Sequence, residues 1–104
     1  MSFNYGNMMK QAKIMQQKLL EIQKELKEME FEASAGGGAV KVKVNGDQEV
    51  VSVKINNEMV DLSDLEMIED MVMVAANDAI KQSKNEAKSK MSQLTGGISI
   101  PGLF

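Results

Sequence analysis

The lysines are the residues of this sequence whose type and placement indicate a chemical role. All twelve basic residues of the 104-residue chain are lysines, and both arginine and histidine are absent. An ammonium group is a compact point charge that can contact phosphate oxygens, but it lacks the forked geometry with which arginine reads base edges. Clustered lysines therefore indicate contact with an anionic surface and little selectivity along it.

Two groups of lysines stand in stretches that contain few acids. Residues 1–20 carry lysine and no acid, whereas residues 81–90 carry four lysines against Glu86. The candidate phosphate-contacting residues are Lys10, Lys13, Lys18, Lys81, Lys84 and Lys88. Each group also has a simpler interpretation as a solvated helix face. Lys41, Lys43 and Lys54 are lesser candidates, because lysines on an exposed sheet face also protect it from aggregation.

The first group lies on a predicted long helix that runs from about residue 4 or 7 to residue 30. Its apolar residues follow a heptad spacing at Met8, Ala12, Met15, Leu19, Ile22, Leu26 and Met29. On a helical wheel Lys10 and Lys13 fall opposite this stripe, and Lys18 falls to one side. A helix of this length spans roughly 35–40 Å. A stripe that long needs a packing partner, which favours a homodimer.

The middle of the chain predicts a three-stranded antiparallel meander. The strands are expected at residues 31–35, 39–44 and 49–55, with apolar residues alternating in the second and third. Asn45-Gly46 between the last two is typical of a two-residue hairpin with a type I′ turn. One face of this sheet is apolar and must be covered.

A second long helix is expected from residue 62 or 64 to residue 94. Ser63 and Glu66 have the spacing of a capping box at its start. Its first half is apolar over a wide arc and is expected to pack on the sheet. The residues of that arc are Leu65, Ile68, Val72, Ala75 and Ala79, with Met67, Met71 and Val74 beside them. Lys81, Lys84 and Lys88 share one face of the second half, and Lys90 points elsewhere.

Other chemistry is poorly supported. Without histidine and cysteine, the commonest general base and the thiol nucleophile are missing. Asp61, Asp64 and Glu66 do not continue into a calcium loop and suit the start of a helix. The glycines at 36–38 precede a strand, whereas a phosphate loop precedes a helix. We therefore predict no enzyme, metal, cofactor or small-molecule substrate. The absence of a signal peptide and of a long apolar run predicts a cytoplasmic protein with no membrane contact.

Several segments of the sequence together carry a family likeness. They are N-M-M-K-Q-A-K-I-M-Q at 7–16, F-E-A-S-A-G-G-G-A-V-K-V at 31–42, N-G at 45–46, V-K-I at 53–55, D-M-V-M-V-A-A-N-D-A at 70–79, L-T-G-G at 94–97 and P-G-L-F at 101–104. These segments resemble the YbaB/EbfC family of nucleoid-associated proteins. The resemblance covers essentially the whole chain. It implies an α+β subunit of order α-β-β-β-α and a tweezer-like homodimer in the bacterial nucleoid. It also implies binding to double-stranded DNA that bends or bridges it and influences gene expression.

Two functional hypotheses follow. The first is a nucleoid-associated protein that binds double-stranded DNA with little sequence preference and alters its conformation. The second is a dimeric protein-protein interaction module with incidental DNA affinity. In it the helices and the tail at 98–104 dock another protein, and the acidic residues 61–78 could capture a basic partner. In both, residues 1–104 form one domain with a flexible tail at 95–104.

Overall fold

The computed structural model describes residues 5–94 and confirms the predicted α-β-β-β-α order. Helix α1 spans Tyr5–Glu28 and is followed by strands β1 (Glu30–Ala35), β2 (Val40–Asn45) and β3 (Val50–Ile55). Helix α2 spans Leu65–Leu94. The predicted tail at 95–104 lies outside the described residues. The described chain is elongated, with extents of 74 × 21 × 16 Å.

The three strands form one antiparallel sheet in the order β1-β2-β3. The alternation of β2 places Val40, Val42 and Val44 on one face, where all three are fully buried. We call this the inner face, and the opposite side the outer face. A bulge between Lys43 and Val44 shifts the register against β3, so that Val44 faces Val50. The pairing of valine with valine at 42 and 53 continues the apolar inner face onto β3.

Helix α2 covers the inner face because that face is apolar, and its small contact residues let it approach the sheet closely. Ala75 and Ala79 are fully buried against the three valines of β2. Ile68 is also buried, and Met71 and Val72 are partly covered at the edge of this core. The predicted arc was too wide, since Leu65, Met67 and Val74 are exposed. The reason is that α2 crosses β1 and β2 and leaves β3 largely uncovered.

The hairpin between β2 and β3 is confirmed, but the predicted type I′ turn is wrong. Positive φ occurs at Gln48, not at Asn45 or Gly46. The N–H of Gln48 donates to the Asn45 carbonyl at 3.2 Å, and the N–H of Asn45 donates to the Glu49 carbonyl at 2.9 Å. This is a three-residue loop in which a turn is followed by a left-handed residue.

Gly46 is required here for close approach to α1. Its N–H donates to the Leu26 carbonyl at 2.7 Å, and a Cβ at this position would collide with the same carbonyl. The glycine therefore joins the hairpin loop to the end of the first helix.

The start of α2 also differs from the prediction. The helix is capped by Asp64, whose carboxylate accepts the N–H of Met67 at 3.1 Å, and not by Ser63. Ser63 instead donates its hydroxyl and its N–H to Asp61, at 2.6 and 3.0 Å. These two hydrogen bonds lower the pKa of the Asp61 carboxyl below its usual value.

Helix α1 ends two residues earlier than predicted. Glu30 belongs to β1, where it pairs with Asn45 across the sheet. Only the C-terminal part of the heptad stripe is covered: Leu26 is buried and Ile22 is half-buried. All residues from 5 to 18 are exposed, including Met8 at 51% and Met15 at 45%. The N-terminal turns of α1 thus project from the body of the subunit.

Ser83 is the buried polar group that ties α2 to the hairpin loop. Its hydroxyl donates to the Asn45 carbonyl at 2.7 Å and accepts the Gln48 side-chain amide at 3.1 Å. Ser83→Ala should lower the free energy of unfolding by about 1–3 kcal/mol, since two hydrogen bonds of about 0.5–1.5 kcal/mol each would be lost. Chemical denaturation at fixed protein concentration measures this decrease. The control Ser89→Ala, at an exposed position of the same helix, should stay within about 0.5 kcal/mol of wild type.

Candidate nucleic-acid interface

Lys81, Lys84 and Lys88 form a basic row on the outer side of α2. At 100° per residue they point away from Ala75 and Ala79, the residues that touch the sheet, and all three are exposed. None of them forms an ion pair within residues 5–94. The row spans about 10 Å along the helix axis. Its charge is therefore directed to solvent and is not neutralised within the described part of the chain.

Lys10 and Lys13 lie on the projecting turns of α1. They are exposed and fall on the side of the helix opposite Leu26, as the wheel predicted. No ion pair in the described range involves either lysine. This pair is thus a second basic surface, carried on a helix that little else in the described structure touches.

Lys18 has a different setting from the other five candidates. It lines a groove between the two helices together with Ile22, Glu25, Lys90 and Leu94. The ammonium group of Lys90 lies 3.4 Å from the Glu25 carboxylate and ties the two helices together. Lys18 therefore lies beside the last described turn of α2, where a cation is favoured by the helix dipole whether or not DNA is bound.

The structure does not bring the two basic surfaces together in one subunit. The Glu25–Lys90 pair shows which turns of the antiparallel helices lie at the same level. Counting from that pair at 1.5 Å per residue places Lys10 and Lys13 roughly 20–35 Å along the long axis from Lys81, Lys84 and Lys88. A ligand that touches both surfaces must be long.

Strand β3 has an exposed apolar face that sequence patterning alone did not identify. Val50, Val53 and Ile55 lie on the inner face beyond the edge of α2 and are 50%, 47% and 43% exposed. The alternation of β3 predicted an apolar face, but only the path of α2 shows that this face is open. An edge strand also presents unpaired backbone groups to a neighbouring chain.

The described residues offer neither a metal-binding cluster nor a helix that could span a membrane. No group of three or more acidic, histidine or cysteine side chains within 5–94 is placed to bind a metal. In the same range no helix is long and apolar enough to cross a membrane.

A thin α+β subunit with lysines on exposed helices has the features of a protein that contacts a long polyanion. The profile of the YbaB/EbfC DNA-binding family matches residues 1–98. The chain belongs to this family, which is a family of DNA-binding proteins and not of enzymes.

Relatives agree with this assignment, and a solved structure has the same fold. A nucleoid-associated protein of Clostridium novyi is 48% identical over 97% of the chain and 89% of the relative. One of Pelotomaculum thermopropionicum is 46% identical over 100% of the chain and 99% of the relative. An uncharacterized protein of Helicobacter pylori, known from a crystal structure, shares the fold with a TM-score of 0.81. It covers 91% of this chain and 100% of its own at 23% identity.

Replacing the basic row should leave the fold intact. Lys81→Gln, Lys84→Gln and Lys88→Gln together remove three exposed charges that make no ion pair in the described structure. We expect the free energy of unfolding to change by no more than about 0.5 kcal/mol for each substitution. Thermal denaturation followed by circular dichroism measures this. A large decrease in stability would show that the lysines have a structural role.

Proposed function

We propose that this protein is a nucleoid-associated protein that binds double-stranded DNA with little sequence preference and alters its conformation. The observation that carries the proposal is the row of Lys81, Lys84 and Lys88, which is exposed and has no acidic partner in residues 5–94. Membership of a DNA-binding family supports the same ligand. In this proposal the protein acts in the nucleoid of the bacterial cytoplasm and affects DNA organisation and gene expression.

Lysine chemistry accounts for the expected lack of selectivity. Lys10, Lys13 and Lys18 on α1 contact DNA phosphates in addition to those contacted by the row on α2. Ammonium groups neutralise phosphates and release counterions, which drives binding without reading the bases. The net charge of −3 does not oppose this, because the local field of a basic patch steers a polyanion.

A homodimer would cover the apolar inner face of β3. Val50, Val53 and Ile55 are each about half exposed, next to exposed apolar residues of α2 such as Val74. Burying apolar area stabilises association by about 25 cal/mol per Å². A two-fold axis would pack this surface against the same surface of a second subunit. It would also double each lysine cluster and set the helices of two subunits opposite each other, as in the tweezer-like arrangement.

The alternative is a protein-protein interaction module with incidental DNA affinity. A shallow groove of about 400 Å³ favours it, since Asp64, Glu66 and Asp70 line the groove together with apolar side chains. This surface suits a basic segment of another protein. A partner retained after nuclease treatment at physiological salt, and released by Asp64→Asn with Asp70→Asn, would support the alternative.

The salt dependence of DNA binding tests the basic row. Changing Lys81, Lys84 and Lys88 to Gln should reduce the slope of log K against log salt by about 0.9 for each phosphate that is no longer neutralised, or about 2.7 per subunit. Gel shifts of a mixed-sequence duplex from 50 to 200 mM salt measure the slope. The control variant changes Lys24, Lys27 and Lys43 to Gln, which removes the same number of positive charges. An equal slope in the row variant and the wild type would contradict the proposed surface.

The molar mass in solution tests the dimer. Wild type should have a molar mass of twice the 11.4 kDa of the chain. Val53→Glu should raise the dimer dissociation constant at least tenfold, or about 1.4 kcal/mol, because a charge would be buried without a partner. The control is Met9→Glu, which changes an even more exposed apolar residue on α1. A dimer that survives Val53→Glu unchanged would place the interface elsewhere.

A further inference from the structure

The outer face of the sheet carries a pair of lysines that the helical surfaces do not include. Val40, Val42 and Val44 point inward, so Lys41 and Lys43 alternate onto the outer face. In the register of β2 with β3, Lys41 lies directly opposite Lys54. The two ammonium groups therefore belong to one corner of the sheet.

The charges on this face are divided unequally. Lys43 is neutralised, since its ammonium group lies 3.2 Å from the Glu30 carboxylate. Lys41 faces Ser34 on one side and Lys54 on the other, and neither lysine forms an ion pair within residues 5–94. Like charges directly opposite in a sheet destabilise it. A repulsive pair next to a neutralised lysine indicates a site that an external anion would stabilise.

The corner also forms a depression that contains a third donor. Lys41, Lys54 and Asn56 line a space of about 300 Å³ with Gly38 and Ile55, and no acidic side chain lines it. The N–H of Asn56 donates to the Ala39 carbonyl at 2.8 Å, which holds the residue in place. Its Oδ1 accepts the N–H of Glu58 at 3.0 Å. The side-chain amino group of Asn56 is thereby left to donate beside the two ammonium groups.

We infer that this corner, formed by Lys41, Lys54 and Asn56, binds a phosphate group of a second DNA segment. The inference rests on the proposed function for its ligand. The corner and the row of Lys81, Lys84 and Lys88 lie on opposite sides of the sheet and helix layers, so a straight duplex on one side does not reach the other. Each subunit thus presents two DNA-contacting sides and can hold two segments together.

A capture assay separates the two sides. An immobilised duplex loaded with wild-type protein should retain a second, labelled duplex. Lys41→Gln with Lys54→Gln should reduce this retention at least tenfold, while single-duplex affinity in gel shifts changes less than twofold. Lys24→Gln with Lys43→Gln removes the same charge and should retain the second duplex. The melting temperature of the Lys41 and Lys54 variant should not fall, because a repulsion is removed.

Two results would overturn the inference. One is retention of the second duplex at the wild-type level by the Lys41 and Lys54 variant. The other is an equal decrease in single-duplex and second-duplex binding, which would show that the corner and the basic row contact the same duplex.

A titration with inorganic tripolyphosphate tests the anion site without DNA. The backbone amide resonances of Lys41, Lys54 and Asn56 should shift in the wild type and not in the variant. If the wild type bound no duplex, the proposed function would fail. Shifts at these amides would then assign the corner to free polyphosphate, and their absence would refute the anion site as well.

Discussion

The packing of two alanines of α2 against three valines of β2 is the contact on which the rest of the structure depends. Ala75 and Ala79 have no side chain beyond Cβ, so the helix lies close to the sheet and buries Val40, Val42 and Val44 completely. A single helix cannot cover three strands, and this one covers β1 and β2. The exposed apolar face of β3 and the outward direction of Lys81, Lys84 and Lys88 both result from that placement.

Electrostatics in this protein depends on where charges are neutralised more than on the net charge. Glu25 neutralises Lys90 between the helices, and Glu30 neutralises Lys43 on the sheet. Lysines without such partners in residues 5–94 include the row on the outside of α2, Lys41 and Lys54 on the outer face of the sheet, and Lys10 and Lys13 on the projecting turns of α1. An acidic chain can therefore present basic surfaces on several sides.

Local patterns predicted the elements well, because periodicity records which face of a helix or strand is apolar. The alternation of β2 and the small apolar residues of α2 identified the core, and the wheel placed Lys10 and Lys13 opposite Leu26. One failure is local, since Asp64 caps α2 while the neighbouring Ser63 bonds to Asp61. The failure at the hairpin involves contacts distant in sequence. The Asn45-Gly46 pair predicts a type I′ turn, but the observed loop is different. In this loop Gly46 approaches Leu26, and Gln48 forms a hydrogen bond with Ser83. The sequence identifies Lys41 and Lys54 as lesser candidates, but their position directly opposite each other depends on the register of β2 against β3.

The hairpin loop that contains Asn45, Gly46 and Gln48 contacts both helices at the base of the projecting part of the molecule. The Leu26 carbonyl of α1 accepts a hydrogen bond from Gly46, and Ser83 of α2 forms hydrogen bonds with Asn45 and Gln48. From Leu26 to Lys10 the first helix extends about 24 Å, so a tilt of roughly 10° at this loop would move Lys10 by about 4 Å. The geometry of this loop therefore sets the direction in which Lys10 and Lys13 project from the rest of the described structure.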